Sequence, residues 1–199
     1  MAAKVWDRDD HGRWTVAEGG EFKAHENSIL RASWAHPEFG QVFATCSTDC
    51  TVRIWEEQEG AVGDGQKPSR WQSKAQLTDS KRSVNDVQFA PRYHGLKIAT
   101  ASADGSVRIY EANDVFSLSY WPMQDCFDAH AEEHGVTCLS WNSSVFEPPM
   151  LATGGAGNCK IWSYDDTARK WNKTVELPSQ HIAHDIKWAP NMGRYELSQ

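Results

Sequence analysis

One spacing constrains this chain more than any other feature. Trp34 and Trp55, Phe89 and Tyr110, and Trp141 and Trp162 are each 21 positions apart. Each pair brackets similar text. ILRASWAHPEFGQVFAT (29–45), VNDVQFAPRYHGLKIAT (84–100) and VTCLSWNSSVFEPPMLAT (136–153) lead into CSTDCTVRIWEE (46–57), ASADGSVRIYEA (101–112) and GGAGNCKIWSYD (154–165), the last a weaker copy. A further tryptophan follows each unit, at Trp71, Trp121 and Trp171. Trp6 and Trp14 fit the last two positions of an earlier unit, and Trp188 fits the first position of a later one. All ten tryptophans therefore fall on repeat positions, and their abundance is architectural. Self-similarity at a fixed period marks a fold built from stacked or radial units.

Each unit reads as four strands. In the second they are expected at Val84–Ala90, Lys97–Ser102, Ser106–Glu111 and Trp121–Phe127. The alternation Val107-Arg108-Ile109-Tyr110 is that of a half-buried strand. Pro37 with Gly40, Pro91 with Gly95, and Pro148 with Pro149 fall in the connections, where turn geometry favours them. The polar run 57–70 reads as a loop inserted before a fourth strand. Units of about 50 residues, each a four-stranded sheet, predict an all-β, partial β-propeller. It has three complete blades (23–78, 79–128 and 129–178), the end of a preceding blade (1–22) and the first strand of a further one (179–199).

Composition narrows the function classes. A net charge of −7 argues against tracking a nucleic-acid backbone, which needs a concentrated basic surface. No apolar run approaches the ~20 residues of a membrane-spanning helix, and MAAKVWDRDD lacks the basic and apolar segments of a secretory signal. Five cysteines, an odd number without framework-like spacing, fit a reducing cytosolic or nuclear compartment.

The S-x-D-x-x-V-R-I-W/Y endings resemble those of WD repeats. WAHPEFGQVFATCSTDCTVRIWEE, VNDVQFAPRYHGLKIATASADGSVRIYEANDVFSLSYW and DIKWAPNMGR are similar, more narrowly, to Seh-one-type nucleoporins, close relatives of the Sec-thirteen coat proteins. The segment after VRIYEANDV favours the Seh type. That resemblance implies a non-enzymatic scaffold in the Y-shaped coat complex of the nuclear pore, at the nuclear envelope, supporting mRNA export and protein transport. It also implies membership of a vacuolar or lysosomal growth-signalling complex. The implied partner is an α-solenoid nucleoporin whose strands complete an open propeller by β-augmentation. The rival readings are a vesicle-coat subunit of the Sec-thirteen type and a substrate-reading propeller of a ubiquitin-ligase or signalling complex.

Several residues imitate catalytic or metal chemistry. His25, Asp49 and Trp55, with Thr45 and Ser47 nearby, match the hydrogen-bonded structural tetrad of WD repeats better than a nucleophile–base pair. The second unit keeps Asp104 but has Tyr110 for the tryptophan and no obvious histidine. The third keeps Trp162 but has Gly155-Ala156-Gly157 where the aspartate belongs. Such erosion suits a redundant structural network, not catalysis. Trp34, Phe89, Trp141 and Trp188 are expected in the blade core. Cys46-x3-Cys50 with His130-x3-His134 has zinc-like spacing, but the pairs lie far apart in the repeat, so no metal is expected. Cys46, Cys138 and Cys159 read as small buried apolar groups. The run DAHAEEHG (128–135) reads as a solvated loop. GGAGNCK (154–160) is too short for a phosphate loop. No cofactor or small-molecule substrate is expected, and the sequence assigns no partner-binding residue.

The resemblance implies six blades, so the sequence reads as an arc cut at both ends. An open arc leaves strand edges whose backbone groups are unpaired, and such edges recruit other strands. The 199-residue chain expressed alone is therefore expected to be oligomeric or poorly soluble. Analytical ultracentrifugation with thermal melting checks this, and a sharp, reversible, monomeric melt would contradict it.

Overall fold

The computed structural model describes residues 1–58 and 71–189. Its first two strands, β1 (Ala2–Arg8) and β2 (Trp14–Lys23), form an antiparallel ribbon. Three four-stranded antiparallel meanders follow. The first runs β3 (Ile29–Trp34), β4 (Val42–Ser47), β5 (Val52–Glu57) and β6 (Trp71–Leu77). The second runs β7 (Val84–Phe89), β8 (Lys97–Ser102), β9 (Ser106–Glu111) and β10 (Met123–Asp128). The third runs β11 (Cys138–Trp141), β12 (Met150–Gly154), β13 (Ala156–Asp165) and β14 (Lys170–Ile182). These are the blades of a partial propeller.

The sequence dictates these strands locally. β4 is buried at all six positions, because both faces of a blade's second strand lie against neighbouring sheets. It reads VFATCS, a small apolar run without alternation, and β8 (KIATAS) and β12 (MLATG) share its Ala-Thr. The register slips between the third and fourth strands at one repeat position: Ile54/Trp55 in the first blade, opposite Ile109 and Tyr110 in the second, and Ile161/Trp162 in the third. This recurrent bulge re-aims each aromatic toward the adjacent sheet. The turns before β4 and β8 end at Gly40 and Gly95, with φ of 86° and 82°, a region costly for any residue with a Cβ. Gly105 is fixed doubly. Its φ is 92°, and a Cβ there would meet the His130 carbonyl oxygen at 2.3 Å.

Blades are joined along their inner strands. Asp86 on β7 accepts hydrogen bonds from the N–H groups of Val87 (2.8 Å) and of Leu139 on β11 (3.0 Å). Gln88 donates its side-chain amide to the Leu139 carbonyl at 2.7 Å, while its own carbonyl accepts from the Trp141 indole at 3.2 Å. Ser33 Oγ accepts the Phe89 N–H at 3.2 Å, and Ser140 Oγ accepts the Trp188 N–H at 3.1 Å. Trp188 thus meets the preceding blade as Phe89 does. Arg31 on β3 reaches the His184 carbonyl (3.4 Å) and the Asp185 carboxylate (3.5 Å), so the segment after the third blade also meets the first.

Some expectations are corrected. The fourth strand of the second blade begins at Met123, not Trp121. Pro122 has no N–H to offer the ladder, and the Trp121 indole instead donates to the Leu118 carbonyl at 2.9 Å, closing the loop beneath it. The first strand ends at Phe89, one residue before Ala90. β14 runs to Ile182, past the boundary expected at 178, and residues 183–189 form no strand. Residues 59–70 of the expected loop and 190–199 of the expected further strand lie outside the described residues. Trp34 departs from the blade-core expectation: it is 52% exposed, against 6% for Trp141, because the ribbon beside it has only two strands. Phe89 and Trp188 are half-buried.

Burial sets a stability contrast. Leu139 is fully buried in the cluster joining the second and third blades, and Val175 lies exposed on β14. Leu139→Ala is expected to cost about 2–5 kcal/mol, whereas Val175→Ala stays within roughly 0.5 kcal/mol. Urea denaturation of both variants checks the contrast.

Candidate functional site

The titratable clusters lie at the mouths of the blades, where each second strand turns into the third. In the first blade the strands bring together all four residues of the expected tetrad. His25 Nδ1 lies 3.0 Å from Asp49 Oδ2, and His25 Nε2 lies 2.8 Å from Thr45 Oγ1. The Trp55 indole donates to the same Thr45 oxygen at 3.0 Å. Asp49 also accepts from the Thr51 hydroxyl (2.6 Å), its N–H (3.1 Å) and the Glu26 N–H (3.2 Å). Ser47 lies outside the chain of bonds but holds the turn, accepting the Asp49 N–H at 3.1 Å. Burial pushes the His25 imidazole below its usual value, partly offset by Asp49. Burial opposes ionisation of Asp49, but bonds from Thr51 and His25 outweigh it and hold the carboxyl at about 2.

In the second blade an arginine takes the histidine's place. Arg108 donates to both oxygens of Asp104, at 3.2 and 2.9 Å, and approaches Ser80 Oγ at 3.4 Å. The pair is almost wholly buried. Asp104 also accepts the N–H groups of Lys81 (3.0 Å) and Ser106 (3.1 Å). Burial again opposes its ionisation, and these donors hold it at about 2. Tyr110 turns away from the threonine and donates to Asp79 at 2.9 Å. Sequence reading took Arg108 for an outward residue of an alternating strand. The available signals were the aspartate four residues before it and a tyrosine hydroxyl in need of an acceptor.

The third blade keeps three members. His130 Nε2 lies 3.0 Å from Thr153 Oγ1, which also accepts the Trp162 indole at 3.0 Å. Gly155 lies flat against the imidazole, where a Cβ would come within 2.3 Å of Nδ1. Nδ1 is buried with no hydrogen-bond partner, and the Glu132 carboxylate is 3.7 Å away. The expectation of a solvated DAHAEEHG loop is therefore corrected at Ala129 and His130, which are buried. The histidine was missed because it sits two places further from the first-strand aromatic than His25 does. The shared dipeptides Ala24-His25 and Ala129-His130 were the clue.

Of the cysteines, Cys46 and Cys138 are buried, and burial pushes the Cys46 thiol up to about 12. Cys159 is only half-buried, a correction to its expected place. Among the described residues, no three His, Cys, Asp or Glu side chains are grouped to hold a metal ion. GGAGNCK forms the turn between β12 and β13, not a helix start.

These networks carry a pH dependence. His25 and Asp49 both lie below their ordinary values in the folded chain, so the unfolded chain binds more protons as pH falls. Stability is expected to drop first below the ordinary imidazole value near 6.5, then again between the ordinary aspartate value of 3.8 and about 2. Thr45→Val, which removes the hydroxyl that accepts the Trp55 indole and donates to the neutral His25 Nε2, is expected to cost about 1–3 kcal/mol at pH 7. Thermal melts from pH 8 to pH 2 of the parent and of His25→Gln check both, with the first step reduced in the variant but kept in part, because burial also lowers His94 and His130.

Residues 18–56, 71–111 and 121–172 match the family described as WD domain, G-beta repeat. Nucleoporin SEH1 of Danio rerio is 44% identical over 205 aligned positions, covering 98% of this chain and 55% of the relative. Nucleoporin SEH1-A of Xenopus laevis is 43% identical and nucleoporin SEH1 of Homo sapiens 42%, each over 98% of this chain and 56% of the relative. The chain spans about half the length of the curated relatives it matches. Repeated aromatics, recurrent bulges and the histidine–threonine–tryptophan clasps agree with the first match: the chain belongs to the WD-repeat, or WD domain, G-beta repeat, family.

Proposed function

We propose that this chain is a non-enzymatic protein-interaction scaffold, a nucleoporin of the Y-shaped coat complex of the nuclear pore that supports mRNA export and protein transport from the nuclear envelope. The similarity to proteins named nucleoporin SEH1 supports the pore reading. That similarity is the observation that carries it. Among the described residues the ribbon β1–β2 has two strands, and the other three sheets have four. β1 occupies a third-strand place, so its free edge faces inward, where a second strand would pair. An edge of unpaired N–H and C=O groups is a template for a partner's strand, with backbone bonds giving affinity and alternate side chains giving selectivity. An α-solenoid nucleoporin that contributes strands there is the partner we infer. Attachment to a vacuolar or lysosomal growth-signalling complex uses the same mode.

The clasps at His25, Asp49 and Trp55, at Asp104 and Tyr110, and at Trp162 serve this role by fixing turns and strands, not by chemistry. Apart from His130 Nδ1, the polar atoms of these clasps are consumed by neighbours, and among the described residues no nucleophile stands beside a base with room for a substrate.

A tagged chain is expected at the nuclear rim and is expected to co-purify nucleoporins. Recovery of vesicle-coat proteins or ubiquitin-ligase subunits in their place, with no rim signal, would overturn the pore reading. Lys4→Pro, which removes an N–H on the side of β1 away from β2, is expected to weaken partner capture at least ten-fold while the three complete blades keep their melting transition.

A further inference from the structure

The loop between β9 and β10 sends part of its apolar content inward and part outward. Leu118 and Trp121 are buried in the core cluster that joins the first and second blades. Phe116 is 93% exposed, and Val115, Tyr120 and Met123 are exposed near it in the chain. The second blade has a four-stranded blade on either side, and the loop leaves from the end of its sheet, so this exposure is not that of an uncovered sheet face. The loop also holds its shape. The Ala112 N–H donates to the Leu96 carbonyl (3.0 Å) and the Asn113 N–H to the Tyr120 carbonyl (3.2 Å), which closes its base. Asp114 accepts the Phe116 N–H on its carboxylate at 2.9 Å and the Ser117 N–H on its carbonyl at 3.3 Å. The Ser117 and Ser119 hydroxyls lie 3.0 Å apart.

Single apolar residues on a surface need no explanation. Here several share one short loop whose anchors are fixed in the core, and the ring of Phe116 is held outward. Burying such a ring yields about 1.5–3 kcal/mol. A loop that is already ordered loses little entropy on docking, so most of that gain survives.

Charge selects the occupant. Between positions 109 and 129 the chain carries carboxylates at Glu111, Asp114, Asp125 and Asp128 and no lysine or arginine. Glu111 meets Lys97 at 3.6 Å, and Asp125 is half-buried, whereas Asp114 stands exposed two residues from Phe116. An anionic lipid surface would be repelled. In a second copy of the chain, the cleft walled by Trp34 and Trp71 would set Asp7 and Glu57 against Asp114, and the cleft beside Arg82 and His134 would set polar Asn85 and Thr137 against the ring. We propose that this loop is a docking knob: Phe116 enters an apolar groove of a partner polypeptide whose rim carries lysine or arginine opposite Asp114. The contact is separate from the edge of β1 and does not rest on the pore reading.

The test is photo-crosslinking in the cells that express the chain, with p-benzoylphenylalanine introduced at position 116 of the full 199-residue chain and, as control, at position 76, an exposed place on β6. Mass spectrometry is expected to map the adducts from position 116 to an apolar residue of another protein with lysine or arginine close by, at a yield about ten-fold above the control. Asp114→Asn, which keeps an acceptor for the Phe116 N–H but removes the charge, is expected to lower that yield about three-fold. Adducts to lipid or to a second copy of the chain, equal yields at the two positions, or an unchanged yield in Asp114→Asn would each overturn the proposal. Phe116→Asp is expected to keep the parent's melting transition. Loss of that transition would mean that the ring supports the fold, and would overturn the proposal as well. Absent adducts with rim localisation intact would remove this contact and leave the pore reading untouched, and adducts without a rim signal would do the reverse.

Discussion

A four-stranded sheet with two apolar faces has no stable existence in water until something lies on each face. Everything else in this molecule follows from that need. The second strands β4, β8 and β12 are built from small and branched residues because other sheets press on them from both sides. The aromatics sit where adjacent blades meet. Phe43, Trp55 and Phe22 pack at one junction, and Phe127, Trp162 and Trp171 at another. Where the neighbour is incomplete, the same residue type is left in solvent, as Trp34 and Trp6 are.

The blades solve a second problem in three ways. A sheet that ends in a tight turn must satisfy buried donors near that turn. The first blade uses a neutral histidine between threonine and aspartate. The second uses an arginine–aspartate pair, with the tyrosine hydroxyl handed to Asp79. The third gives up the carboxylate and leaves one imidazole nitrogen unpartnered. The costs differ accordingly. The arginine pair is charged in both partners and buried, which is tolerable only because further N–H groups also serve the aspartate. The three arrangements hold similar backbones, so the geometry of the turn tolerates several chemistries.

Much of this was legible in the sequence. The 21-residue interval located the strands of each repeat, and three members of the first-blade network could be named, with Thr45 and Ser47 both left open as the hydroxyl. What escaped was compensation. Nothing local says that Arg108 will turn inward to replace a histidine, since a period-two pattern sends it to solvent. His130 escaped because a longer connection moved it off the expected spacing. Trp34 was misjudged because equivalence by repeat does not guarantee equivalence by neighbour. A residue's burial in a radial fold depends on the adjoining unit, which the residue's own repeat cannot report. The late start of β10 came from Pro122, whose missing donor was visible but whose effect depended on the packing of Trp121.

Gly155 carries a consequence for how such a chain can change. With His130 seated on its α-carbon, any side chain at that position would have to displace the ring. A substitution at Gly155 therefore acts first on the bond between His130 and Thr153, and the two positions can change only together.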